Sequence, residues 1–202
     1  GIIGGEPQKL NAKSYSTKIF KMPRLVVEKM QKICKKRTLS LKALTLYVLS
    51  KSLCDYYRQK SVTIGVLVNG RHHEMFMPFD SVGLFWNIVP VTIESGQNYS
   101  QFNDILTQYE KHGRFPLKKI IELNGGGKNL FDICFNYIHF HNARAEVSPL
   151  NCLDFEAIDR FHYKITVTIS VDYTETFPRM ELRIDYMNPY LSKSDINTIF
   201  KS

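Results

Sequence analysis

Residues 61–70 read SVTIGVLVNG, and residues 84–93 read LFWNIVPVTI. The first stretch is rich in β-branched residues and ends in Asn69-Gly70, a pattern typical of a buried strand followed by a turn. The second stretch predicts a strand or a strand pair. Pro90 favours the edge of a sheet or a bulge, because proline has no N–H to donate to a ladder. The two stretches together predict a β-sheet.

Helical and strand patterns extend from this pair towards both ends of the chain. Five helices are predicted: 24–37, a second from a cap at Thr38 or Ser40 to about 59, 99–112, a short one opened by Pro116, and 194–201. Further strands are predicted over 131–140, 162–172 and 179–186. Loops are predicted over 124–129 and 141–160. The pattern predicts an extended lead-in over 1–22 and one mixed α/β layered domain over 23–202.

The composition is that of a globular protein. The chain has 202 residues, 44% of them apolar and 12% aromatic, which is enough for a core. No run of 18 apolar residues is present, so no membrane span is expected, and the first 16 residues lack the pattern of a secretion signal. The four cysteines stand far apart without ligand spacing. This favours reduced thiols and a cytoplasmic protein.

Positive charge is concentrated in the first 60 residues. The net charge is +8, but residues 1–60 hold fourteen Lys or Arg against three acids, a net of +11. The simpler interpretation is a solvated helix face: apolar residues recur at helical spacing over 24–37, and Lys35-Lys36-Arg37 complements the helix dipole. The inward positions are then Val26, Val27, Met30, Ile33 and Cys34. The alternative is a surface for nucleic acid, anionic lipid or an acidic protein.

Two adjacent histidines, His72 and His73, resemble the beginning of the acyl-transfer motif HHxxxDG. The residues after His73 are Glu-Met-Phe-Met-Pro, and no Asp-Gly follows. A general base needs a fixed direction towards the proton that it takes. The pair is therefore predicted to lie in a solvent-facing loop, and no catalytic residue is assigned.

Other site patterns are incomplete. His139 and His141 share one face of a predicted strand, but neither His162 nor another residue completes a metal site by its spacing, so no metal is predicted. The segment 125–128 lacks the glycine and the hydroxyl of a phosphate-binding loop. The aromatic residues near the basic region fit a core better than an exposed stacking platform, so nucleic-acid binding is not predicted.

Several segments together resemble the condensation domains of nonribosomal peptide synthetases. VGLFWNIVPV (82–91) is similar to the family segment VGxFVNT-L-P-x-R, and VTIGVLVNGR (62–71) to the strand that ends in Gly-Arg. KHGRFPLKKII (111–121) is similar to HQDxPFEKL, and GKNLFDICFNY (127–137) to R-x-x-NPLFxVxFNY. Residues 161–171 and 183–200 resemble later segments, so the similarity runs in order over about residues 15–200.

The resemblance implies a chloramphenicol-acetyltransferase-like fold, in which two similar α/β halves face each other across a tunnel. It identifies this chain as the C-terminal half, a mixed-sheet α/β sandwich. The family's HHxxxDG belongs to the other half, so the isolated chain is expected to be inactive. The implied partners are that N-terminal half and carrier proteins, whose phosphopantetheine arms bring donor and acceptor substrates into the tunnel for amide-bond formation.

The resemblance also suggests which residues line the tunnel. The candidates are Gly83, Phe85, Trp86, Asn87, Asn136 and Tyr137. Asn87 is either a polar group of the tunnel or a strand residue whose side chain pairs with loop backbone.

The sequence also departs from the family pattern. Trp86 replaces Val, Ile88 replaces Thr, and Thr92 stands near the usual Arg. Two alternatives therefore remain: a non-catalytic scaffold that binds a carrier protein, and an unrelated basic α/β binding domain.

Overall fold

The computed structural model describes residues 1–5, 14–70, 82–83, 85–126, 129–140, 162–173 and 177–201. Within these residues the chain forms a six-stranded sheet and five helices. In chain order they are β1 (Tyr15–Lys21), α1 (Arg24–Arg37), α2 (Leu41–Tyr57), β2 (Ser61–Asn69), β3 (Trp86–Glu94), α3 (Tyr99–Lys111), α4 (Leu117–Leu123), β4 (Ile133–Phe140), β5 (Ile165–Asp172), β6 (Arg179–Met187) and α5 (Lys193–Lys201).

The predicted helices and strands are present with small shifts at their ends. Ser40 is the residue that caps α2, since its hydroxyl accepts the Ala43 N–H at 3.0 Å. Asn98 caps α3 in a capping box with Gln101. The structure adds one element to the predicted order: Tyr15–Lys21, within the predicted lead-in, forms strand β1 paired along its length with β6.

The sheet has the order β1-β6-β5-β4-β2-β3. Strands β2, β4 and β5 run parallel, and the other pairings are antiparallel. Strand β3 lies at one edge, which confirms the edge position predicted from Pro90. The mixed-sheet α/β fold expected from the sequence is therefore confirmed.

One face of the sheet is covered by helices. Alternate residues of β2 and β3, such as Val66 and Val89, are buried on this face against α2 and α3. Phe102 of α3 and Ile196 of α5 are completely buried in the same cluster. The opposite face, here called the open face, carries mainly polar residues of β1, β5 and β6. Burial of the apolar residues on the covered face is the main driving force for the fold.

Helix α1 corrects one expectation from the sequence. Val27 and Cys34 are buried as predicted, but Val26 is 37% exposed and Ile33 is 46% exposed. Successive helical residues are rotated by about 100°, so a helix that rests on one line of contact buries positions seven apart and turns their neighbours outward. The inward stripe of α1 is narrower than the sequence pattern indicates.

The first residues of the chain pack across the end of the sheet. The backbone N–H of Ile3 donates to the buried carboxylate of Asp132 at 2.9 Å, and its carbonyl accepts from Lys164. Lys164 also lies 3.4 Å from Asp132. Asp132 precedes β4 and Lys164 precedes β5, so the pair fixes the first residues at the start of two parallel strands.

Gly65 lies beneath the ring of Phe131. A Cβ at this position would come within 2.1 Å of the ring carbon Cε2 of Phe131, and Phe131 is itself buried. Gly65→Ala is therefore expected to lower the free energy of unfolding by about 1–3 kcal/mol, because the ring or the strand must shift. Denaturant unfolding of the two proteins measures the difference. Gly96→Ala is the matched control, since nothing lies within 4 Å of its Cβ; equal losses in both variants would refute the steric explanation.

Ser192 caps α5, since its hydroxyl accepts the Asp195 N–H at 3.2 Å, and the Asp195 carboxylate accepts from the Ser192 N–H and, at 2.7 Å, from the Tyr56 hydroxyl. The backbone N–H of Ser192, the Tyr56 hydroxyl and the Ser192 hydroxyl hold the pKa of Asp195 below its usual value. Its contribution to stability is complete above the pKa of an unfolded aspartate, about 4, and is lost as the pH falls through the lower pKa of the folded state. We expect Asp195→Asn to make unfolding less dependent on pH below about 4.

Urea unfolding at a series of acidic pH values measures this effect. Asp104→Asn, which changes an exposed carboxylate on α3, is the control and is expected to keep the wild-type dependence. A wild-type pH dependence in Asp195→Asn would show that this carboxylate does not contribute to acid unfolding.

Candidate functional site

The candidate residues of β3 lie at one end of the sheet. Since β2, β4 and β5 are parallel, they all finish at this end, and the antiparallel strand β3 begins there. In open α/β sheets, ligands bind at the carboxyl ends of the strands. Residues 71–81, 141–161 and 174–176, which follow β2, β4 and β5 in the sequence, are outside the described residues.

The start of β3 is fixed closely to the end of β2. The Gly70 N–H donates to the Phe85 carbonyl at 2.7 Å, and a Cβ on Gly70 would lie 2.6 Å from that oxygen. Glycine is required at this close approach. The next residue, Trp86, stands opposite Asn69 and is 57% exposed. Gly83 is exposed and Phe85 is half-buried. Together with Trp86 and Asn87, they place four candidates at this end of the sheet.

Asn87 pairs with loop backbone. Its Nδ2 donates to the carbonyl of Gly113 at 2.7 Å and to that of Phe115 at 2.8 Å. Both amide hydrogens are therefore used to hold the turn between α3 and α4, which is the second of the two interpretations that the sequence left open. A role in the tunnel for Asn87 would act through this turn.

The remaining candidates lie on opposite faces of β4. Asn136 is on the open face and only 6% exposed, while Tyr137 is turned to the covered face and packs against the core. Burial raises the pKa of Tyr137 well above that of a free tyrosine, so its hydroxyl stays protonated. The structure thus brings Trp86 and Asn136 to the open face, and Asn87 and Tyr137 to the other.

The open face also carries a polar network that the sequence analysis did not assign. Arg183 and Asp185 on β6 form an ion pair at 2.9 Å, and Thr17 of β1 donates to the same carboxylate. Thr168 of β5 is paired with Arg183. The alternation in RMELRIDY already puts Glu181, Arg183 and Asp185 on one face. Their position on the face that no described helix covers required the tertiary structure.

A groove of about 660 Å³ lies along the outer side of β3. Pro90, Thr92, His112 and Phe115 are among its lining residues. The bonded pairs Gly70–Phe85 and Ser95–Lys60 place the backbone groups of residue 90 at the open edge, because bonded and non-bonded pairs alternate in antiparallel strands. Proline at this position removes an outward N–H and protects the edge strand from pairing with another strand.

The other sequence candidates give no catalytic arrangement among the described residues. His72, His73 and His141 lie outside these residues, and His162 is exposed just before β5. Within the described part of the chain, no group of three His, Cys, Asp or Glu side chains suits a metal ion. Cys34, Cys54 and Cys134 are free and buried, and burial raises the pKa of the Cys134 thiol to about 12. Such a thiol is a poor nucleophile.

The sequence of residues 5–202 matches the family model of the condensation domain. The chain therefore belongs to the condensation-domain family, as the resemblance of its segments indicated, and the alternative of an unrelated α/β binding domain is wrong. None of the curated proteins matches the chain significantly. Across the described segments, the structure contains no helix with the length and apolar character of a membrane span.

Solved structures of similar fold come from several biosynthetic enzymes. The condensation domain from monacolin K polyketide synthase MokA has a TM-score of 0.78 and 14% identity, over 98% of this chain and 48% of that one. The X-domain from teicoplanin biosynthesis gives 0.76 and 11%, over 95% and 46%. A four-domain nonribosomal peptide synthetase bound to AMP and glycine gives 0.76 and 17%, over 92% and 16%. The chain thus spans about half the length of the isolated domains that it resembles.

Replacement of Asn87 tests its contact with the turn. Asn87→Ala is expected to lower the free energy of unfolding by about 1–3 kcal/mol, because the carbonyls of Gly113 and Phe115 lose their donor. Asn87→Asp is expected to be at least as harmful, since a carboxylate cannot donate. Hydrogen exchange of the amides over 112–115 should become faster in both variants. Asn129→Ala, at an exposed position, is the control, and unchanged exchange in the Asn87 variants would exclude the proposed contact.

Proposed function

We propose that this chain is the C-terminal half of a condensation domain and forms one wall of the chamber in which two carrier-bound substrates are joined by an amide bond. The observation that carries the proposal is the family match over residues 5–202 in a chain that spans only 48% of the condensation domain from MokA. The companion is then an N-terminal half that bears HHxxxDG. The cytoplasm is the proposed location.

The chemistry assigned to this half is positioning. Carrier-bound donor and acceptor groups are brought together by their phosphopantetheine arms, which makes a bimolecular step effectively intramolecular. In this proposal, Gly83, Phe85 and Trp86 line the chamber where β3 begins. Asn136 contributes a polar group from the open face. Proton transfer is left to the histidine of the companion half.

Asn87 acts as a positioning residue in this proposal. Its two hydrogen bonds fix the turn at 113–115 against the beginning of β3. Because this turn connects α3 to α4, it also keeps Trp86 and Phe85, which precede Asn87, at a constant distance from these two helices. Tyr137 supports the same region from the covered face, where it packs against the core.

A non-catalytic scaffold is the second candidate, and Trp86 is the observation that favours it. A large indole stands at the edge of the sheet, 57% exposed, where the family pattern has a valine. If this ring occupies the substrate path, the chain retains the fold and carrier binding without supporting condensation. Restoring valine at this position separates the two candidates.

The experiment combines the chain with a separately produced N-terminal half and with two carrier proteins loaded with donor and acceptor. Amide product, detected by mass spectrometry of the acceptor carrier, is expected when both halves are present and absent with either half alone. Product formed by this chain alone would overturn the proposal. Product that forms only with Trp86→Val would establish the scaffold role for the wild-type chain.

A further inference from the structure

Six residues of α1 form one continuous outward face. A rotation of about 100° per residue places them within an arc of about 120°. They are Leu25, Val26, Lys29, Lys32, Ile33 and Lys36, here called the α1 outer face. All six are exposed, and Leu25 reaches 71%. The face combines three aliphatic side chains with three lysines and contains no acid.

The simpler interpretation of the basic region explains only part of this surface. Lys35, Lys36 and Arg37 lie in the last turn, where cations complement the negative end of the helix dipole. Lys29 and Lys32 lie before that turn and gain little from it. A solvated face also does not account for Leu25, Val26 and Ile33, which lie beside the lysines rather than in the core.

The lysines of the α1 outer face form no ion pair with another described residue. Glu28 is the acid of α1, and its carboxylate pairs with Arg24 at 2.7 Å. None of the ion pairs between described residues includes Lys29, Lys32 or Lys36. Like charges three and four residues apart destabilise a helix by about 0.2–0.5 kcal/mol per pair. An acidic partner would remove this repulsion.

We propose that the α1 outer face is a docking surface for an acidic protein helix, and that the carrier protein of the proposed function is the partner that supplies it. The partner's carboxylates pair with Lys29, Lys32 and Lys36. Its apolar side chains cover Leu25, Val26 and Ile33, which contributes about 25 cal/mol for each Å² of apolar surface removed from water. The identity of the partner rests on the proposed function; the chemistry of the surface does not.

The neighbouring contacts keep this surface in place. The Arg24 guanidinium lies 3.2 Å from the centre of the Phe177 ring, next to β6, which fixes the first turn of α1. Val27 and Cys34 anchor the opposite side of the helix. A partner therefore meets a helix that is already ordered, and little conformational entropy is lost on its side of the interface.

The test measures binding of this chain to an acidic acyl carrier protein in its holo form, by titration calorimetry at low and high salt. Lys29→Glu/Lys32→Glu is expected to weaken binding by about tenfold or more and to reduce its salt dependence. Leu25→Ser/Ile33→Ser is expected to weaken binding while keeping the salt dependence. Circular dichroism of each variant reports whether the helix content is retained.

The matched control reverses two exposed lysines elsewhere, Lys60→Glu/Lys118→Glu, and is expected to change the affinity by less than about twofold. An equal loss in this control would show attraction to net charge alone and would overturn the proposal. Vesicles of phosphatidylcholine and phosphatidylserine provide the other arm. Binding to these vesicles that depends on the α1 outer face, without binding to the carrier protein, would identify a lipid surface instead and would also overturn it.

Failure of the docking surface and failure of the proposed function give different results in the binding and amide-forming assays. Carrier binding that depends on the α1 outer face, without any amide product in the presence of the companion half, supports the surface and contradicts the proposed function. Amide formation with an unchanged KM for both carrier proteins in Lys29→Glu/Lys32→Glu contradicts the surface and supports the proposed function.

Discussion

The sheet is held together at the short parallel contact between β2 and β4. There Gly65 is paired with Cys134 and Val66 with Phe135, and this contact connects the β2–β3 hairpin to the other four strands. The ring of Phe131 closes over Gly65 on the open face. A side chain on residue 65 would force the Phe131 ring or the strand itself to shift at this contact. The edge strand β3, with its row of candidate residues, depends on this contact for its position.

The candidate residues of β3 are held in place by hydrogen bonds to backbone carbonyls. Gly70 reaches the Phe85 carbonyl, and Asn87 reaches the carbonyls of Gly113 and Phe115. Each contact joins β3 to a neighbouring segment without an ion pair. An edge strand has one side without a partner strand, and these contacts together with Pro90 fix it there. The position of the candidate residues therefore depends on the contacts that hold the edge strand β3 in the sheet.

Several features could be predicted from the sequence because they depend on neighbouring residues. Ser40 as a helix cap and Pro90 as an edge residue are examples, since a hydroxyl cap and a missing N–H have local effects. Strand β1 was predicted only as extended chain, because its partner β6 lies more than 150 residues away in sequence. The outward positions of Val26 and Ile33 were missed because spacing gives the faces of a helix but not which line touches the core.

The sequence by itself determined the family, the α/β class and the order of most elements, because motif spacing and hydrophobic period are properties of the chain alone. The tertiary structure alone decided which side of each element is covered. It turned Asn136 and Tyr137 to opposite faces, used both amide hydrogens of Asn87 for a loop, and left three aliphatic residues beside the lysines of α1. The physical reason is that burial is a property of the packed elements, which no local pattern contains.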